Sequence, residues 1–144
     1  MKKPLLFGSL ITLVFFFSYC SKSSSTPAPA PNLYPIVGLW IGTSQIDGQP
    51  SLKPAFYSFD LRKDSSILVQ GQSGIDGITY YASGKWSLSG TTFSANVTIL
   101  NLGSAGVVQT IAATYDSTAG SLKSGTWQNN SGAVTGTFSL LRVN

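Results

Sequence analysis

From residue 36 onward apolar and polar residues alternate with a period of two, and no window carries the spaced apolar stripe of an amphipathic helix. Turn signals divide this stretch into eight predicted strands. The first, 36–46, ends at Asp47-Gly48, and the second, 54–62, sets Ala55, Tyr57, Phe59 and Leu61 against Phe56, Ser58, Asp60 and Arg62. Lys63-Asp64-Ser65 turns the chain into a third strand, 67–72, followed by a loop with Gly74 and Asp76-Gly77. The fourth, 78–88, places Tyr80, Ala82, Gly84, Trp86 and Leu88 on one face. After Ser89-Gly90-Thr91 the fifth keeps Phe93, Ala95, Val97 and Ile99 in phase. A glycine-containing loop, 103–106, leads to the sixth, where Val107, Gln109, Ile111, Ala113 and Tyr115 share a face. The seventh spans 122–128, and the eighth carries Val134, Gly136, Phe138, Leu140 and Arg142 on one side.

Short turns between neighbours imply an antiparallel meander, because parallel pairing needs long crossovers. The expected fold is all-β: an eight-stranded antiparallel up-and-down barrel, which leaves no open edge, with a two-sheet sandwich as the alternative. On this phasing Tyr57, Phe59, Tyr80, Trp86, Phe93, Tyr115 and Phe138 fall on the interior and are the candidate ligand-contacting residues. A one-residue slip would turn any of these strands inside out. Gly38-Leu39-Trp40, Gly84-Lys85-Trp86 and Gly125-Thr126-Trp127 repeat one pattern, which Gly136-Thr137-Phe138 echoes. Residues two apart share a sheet face, so each glycine leaves room beside an aromatic ring, as a tightly curved barrel requires.

The first 19 residues are different in kind. Met1, Lys2 and Lys3 precede an apolar run that ends at Tyr19, the layout of a secretory signal peptide and too short to span a bilayer comfortably. Cys20, the single cysteine, follows at once. Phe17-Ser18-Tyr19-Cys20 resembles a loose lipobox, with Phe17 and Tyr19 where leucine and a small residue are usual. The resemblance implies an acylated Cys20, a membrane as partner, and a place in the cell envelope. Ser21, standing where Asp would signal inner-membrane retention, favours the outer membrane and leaves the leaflet open. A competing processing site is Ala28-Pro29-Ala30, followed by Pro31. Residues 20–32, rich in Ser, Pro and Ala, read as a solvated tether, and 33–144 as one barrel domain.

Composition narrows the chemistry. Lys2, Lys3 and Lys22 lie outside the domain, so its six basic residues nearly balance five aspartates, and they are scattered. A nucleic-acid surface is not expected. With a lone cysteine outside the barrel there is no disulfide, and stability must come from packing. The chain has no histidine and no glutamate, the commonest general base and half of the carboxylate repertoire. No Ser-x-x-Lys or Gly-x-Ser-x-Gly arrangement is present. Asp60 and Asp64 sit beside Arg62 and Lys63 as a solvated turn, and the Asp-Gly pairs lack the spaced oxygen ligands of a calcium loop. The expectation is a non-enzyme with no cofactor and no metal.

Gly38-Leu39-Trp40 at the start of the first strand is similar to the opening of the lipocalins, eight-stranded barrels whose first strand begins Gly-x-Trp. That resemblance implies that Trp40 closes the barrel floor and that Arg142, from the end of the last strand, lies against its ring. Gly38, Trp40 and Arg142 are then structural. The avidins, which sandwich a ligand between tryptophans at the barrel mouth, offer a second comparison, with Trp86 and Trp127 in that role. Two functions follow as expectations: a tethered barrel holding a small apolar or amphipathic ligand, or a non-catalytic interaction module whose interior is full.

Overall fold

Alternation of this kind, cut by Gly and Asp turns, leaves the backbone no satisfied arrangement other than strands paired with their sequence neighbours. The computed structural model describes residues 33–101 and 105–144, so Cys20 and the tether lie outside the described residues. Its strands are β1 (Gly38–Ile46), β2 (Ala55–Leu61), β3 (Ser66–Gln72), β4 (Thr79–Ser89), β5 (Thr92–Ile99), β6 (Val108–Asp116), β7 (Ser121–Asn129) and β8 (Thr135–Arg142). Each pairs antiparallel with the next and β8 closes on β1, giving a closed up-and-down barrel. Among the described residues there is no helix, and the sandwich alternative is excluded by the β1–β8 pairing.

Boundaries agree with the sequence to within about two residues, and the largest difference has a cause. The first strand begins at Gly38 and not at residue 36, because Gly38 adopts a φ of 130°, which turns the incoming chain. Residues 33–37 instead form a strap across one end of the barrel. Tyr34 N–H donates to Ser117 O (2.8 Å), and the Tyr115 hydroxyl donates to Tyr34 O. That end, the closed pole, carries the short turns 62–65, 90–91 and 117–120. Asp64 accepts from Ser66 N–H (3.0 Å), and Asp116 accepts from the backbone N–H groups of Thr118 (3.1 Å) and Ala119 (3.0 Å). The longer loops 47–54, 73–78, 100–107 and 130–134 all gather at the other, open pole.

Arg142 fastens the closed pole. It is paired directly with Trp40 across β1 and β8, and its guanidinium donates to the carbonyls of Val37 (3.0 Å), Leu39 (3.3 Å), Pro35 (3.4 Å) and Val143. Gly38 makes this possible, since a Cβ there would overlap the guanidinium. Trp40 is fully buried beside it and donates Nε1–H to Ile36 O (2.7 Å). Arg142→Ala removes several charge-assisted bonds at once, and should cost about 2 kcal/mol. Thermal unfolding should show a drop of several degrees. An unaltered melting temperature would mean the strap closes the pole without the arginine.

The interior is filled by one phase of every strand, with one correction to simple parity. Leu122, Gly125 and Trp127 of β7 are all buried, although strict alternation would put Leu122 on the opposite face from the other two. A bulge resolves this: the register of β7 shifts between Leu122 and Gly125 against β8, and Ser124 takes a φ of 51°. Beyond the bulge, β7 and β8 interlock reciprocally. Trp127 lies over Gly136 and Phe138 lies over Gly125, each ring occupying the space where a Cβ of the paired glycine would be. The glycine–aromatic repeat thus makes its room across strands rather than along them.

Candidate functional site

The seven interior candidates fall into three places. Phe59, Phe93, Phe138 and Tyr57 form the packed centre, all buried. Phe59 stacks on Phe93 (centroids 6.0 Å apart) and meets Tyr57 (5.0 Å) and Phe138 (5.4 Å) edge-on. Trp86 and Tyr115 belong to the closed pole. Trp86 donates to Arg62 O in the 62–65 turn (3.2 Å), and Tyr115 meets Trp40 edge-on at 6.0 Å. Tyr80 lines a cavity at the opposite, open pole, while Tyr115 borders a separate recess among the closed-pole turns with Gly90, Thr91, Asp116 and Lys123. Trp86 and Trp127 therefore stand toward opposite poles and do not face one ligand, which corrects the tryptophan-sandwich expectation.

The cavity opens at the open pole and measures about 350 Å³, within the range that small-molecule sites occupy. Its wall comes from the ends of seven strands, β1 to β7, and its rim from the loops after β1 and β3. Ile46, Ile99, Tyr80 and Trp127 supply apolar surface; Ser44, Gln109 and Asn129 supply polar atoms. Size alternation creates the space. On the row that runs across β2, β3 and β4, Tyr57 faces Gly71, which faces Tyr80. The Tyr80 ring folds over Gly71, where any side chain would collide with it. Above this row the small Ser44 and Ala55 cannot fill the barrel as the phenylalanines do below.

Among the described residues, three buried polar atoms in this upper half have no hydrogen-bond partner: Tyr57 Oη, Gln109 Oε1 and Trp127 Nε1. Each such atom costs about 1–3 kcal/mol when shut away from water. Gln109 is held by its other end, Nε2 donating to Asn129 Oδ1 at 3.0 Å, which orients the amide. Tyr57 Oη lies near enough to Tyr80 for the phenols to affect each other, without the alignment of a hydrogen bond. Burial pushes the Tyr57 phenol well above its ordinary range, with Tyr80 adding to the effect, and burial pushes Tyr80 up to about 12.

These shifts give the barrel an alkaline limit. Above about pH 10 the unfolded phenols lose protons that the folded ones keep, so the folded state binds more protons and stability falls as pH rises. At the acid end, hydrogen bonds to Ser66, Ser73 and Lys123 hold Asp64, Asp76 and Asp116 below their usual value. Their contribution is present above the ordinary carboxylate range and is lost as pH falls through the folded values. Urea midpoints should be flat between these limits, and Tyr57→Phe should blunt the alkaline decline alone. An alkaline limb unchanged in that variant would place its origin elsewhere.

The charged groups near the cavity stand at its rim. Lys53 and Asp76 are exposed, and Asp76 accepts from Ile78 N–H at 3.1 Å. Asp60 is paired with Arg62 at 3.0 Å on the outer wall and shares no site with Asp64. Among the described residues no group of three or more metal-ligating side chains occurs. The cavity residues that sequence reasoning did not single out, Ser44, Gln109 and Asn129, had one visible signal. Gln109 is a lone amide in phase with Ile111 and Ala113, and Ser44 a lone hydroxyl in phase with Trp40 and Gly42.

No protein-family model matches the chain, and no curated protein matches it. Among solved structures it is similar to a redesigned β-barrel, with a TM-score of 0.52 and 20% sequence identity over 75% of this chain and 91% of that one. At that identity the likeness shows the fold alone: a closed eight-stranded antiparallel barrel.

Proposed function

We propose that this chain is an exported lipoprotein, held in the cell envelope through acylated Cys20, whose lipocalin-like barrel binds a small ligand at its open pole and does no chemistry on it. The observation that carries this reading is the cavity of about 350 Å³, closed below by packed aromatics and lined by both apolar surface and unpaired polar atoms. A barrel selected only for stability gains nothing from such a lining. Trp40 buried at the floor, with Arg142 paired to it and Gly38 making room, supports the lipocalin-like architecture. Binding rather than catalysis is supported by the lining, where among the described residues the one acid, Asp76, is an exposed rim carboxylate already engaged by the loop and held below its usual value.

The full chain, extracted from membranes in mild detergent, should show a reproducible small-molecule adduct by native mass spectrometry that organic extraction removes. Trp127 lies on the cavity wall, so the stripped protein should change its tryptophan fluorescence when the extract is returned. A clean apo mass together with no fluorescence response to a lipid and metabolite panel would defeat the binding reading. Cys20→Ala should move the protein from the membrane to the soluble fraction; continued membrane partition would defeat the anchor.

A further inference from the structure

The unpaired atoms say what kind of molecule fits the cavity. Trp127 Nε1 can only donate, and Gln109 Oε1, whose amide nitrogen is engaged by Asn129, can only accept. Both belong to residues more than nine-tenths buried and both residues line the cavity. Tyr57 Oη, fully buried behind Tyr80, can do either. Neither atom has open surface in this structure, so a ligand would meet them by turning the two side chains into the cavity they line. Its complement is an acceptor for the indole and a donor for the amide. A plain hydrocarbon chain offers neither.

The charge of the ligand follows from the same walls. Inside the mouth the lining is Ser44, Ile46, Ile99, Gln109, Trp127 and Tyr80, and the nearest ions, Lys53 and Asp76, are exposed at the rim with opposite signs. A carboxylate or ammonium buried here would have no counter-ion and would lose its hydration. Resting on the proposal of a binding barrel, we infer that its ligand is a compact neutral molecule carrying an adjacent N–H or O–H donor and carbonyl acceptor, of the lactam, cyclic urea or carboxamide class, on an apolar ring. It is not a fatty acid.

Full-length protein in lipid nanodiscs, stripped of adducts, would be titrated by calorimetry and ligand-observed NMR with four probes of one shape. Oxindole has both donor and acceptor, indanone the acceptor only, indane neither, and indane carboxylate a charge. Oxindole should bind about tenfold more tightly than indane, the factor expected for well-made buried hydrogen bonds. Trp127→Phe and Gln109→Leu should each erase that preference, read as the ratio of oxindole to indane affinity within the variant, while far-UV dichroism and a cooperative thermal transition show that the variants are folded. A preference unchanged in both variants, or equal affinity for oxindole and indane, overturns the inference while leaving a binding barrel intact. Tightest binding by the carboxylate overturns its neutrality. No binding of any probe into the millimolar range also overturns it; the native-mass adduct then judges the wider reading separately.

Discussion

Phe59→Ala should remove about 3–5 kcal/mol of stability, a large part of what a domain of this size possesses. Phe59 is fully buried at the middle of the barrel and touches three other rings, Tyr57, Phe93 and Phe138. Truncation removes its own transfer energy, strips each neighbour of an aromatic partner, and leaves a void that a closed barrel cannot collapse into. Every strand is paired on both sides, so none can shift inward alone. Phe56 on the same strand is the control, because it points outward and is only half-buried. Phe56→Ala should cost about 1 kcal/mol or less. Denaturant midpoints for the two variants measure the difference, and near-UV dichroism should fall only for Phe59→Ala. Equal costs would mean that the register of β2 is slipped by one residue.

Gly84→Ala should be nearly as damaging, for the opposite reason. A Cβ at Gly84 would overlap the carbonyl oxygen of Asn96 and lie 2.8 Å from Val97 Cα, on the backbone of β5. Side chains can rotate away from an added methyl group; a hydrogen-bonded strand cannot. Gly42 stands in the same relation to Ser139 and Leu140 on β8, and Gly136 to the carbonyl oxygen of Gln45 on β1, so the barrel is pinched at three places where adjacent backbones approach. The expected loss is about 3 kcal/mol, at the upper end for overpacking. Gly74→Ala provides the comparison: its nearest neighbour, Leu52 Cδ1, is 3.7 Å away, an ordinary contact. That variant should lie within about 0.5 kcal/mol of the parent. A soluble, equally stable Gly84→Ala protein would show that β4 and β5 do not coil this tightly.

Strand existence and order were legible because one face of each strand is buried and the other wet, so the period-two signal survives in residues such as Ala95, Val97 and Ile99 against Asn96 and Thr98. Closure was inferable from short turns and from eight strands having nowhere else to hide their edges. What could not be read was which interior residues share a height. That depends on strand tilt and on the bulge in β7, where Ser124 at positive φ shifts the phase between Leu122 and Trp127. Without the shift, Trp127 cannot be brought beside Gln109 and Asn129, and Trp86 looks its equal. The aromatics drew attention because they are large, yet most of them fill the floor and centre. The site is marked instead by what is small or out of character in an apolar phase: Ser44, Ala55, Gly71 and Gln109.

The segregation of short turns at one pole and long loops at the other bears on how such a protein can change over generations. Cooperative stability resides in Trp40, Arg142, the strap and the phenylalanine centre, all remote from the mouth. Trp127 and Ile99 belong to both mouth and core, but loops 47–54 and 73–78 can lengthen or drift without disturbing the pinched strands beneath. Under the proposed binding role, preference can therefore wander while foldedness is retained, except at one seam. Trp127 and Phe138 are each seated on a glycine of the other's strand, so drift there must come in compensating pairs. The barrel is a conservative foundation carrying a variable rim, and lineages built on it should diverge first in the loops around the mouth.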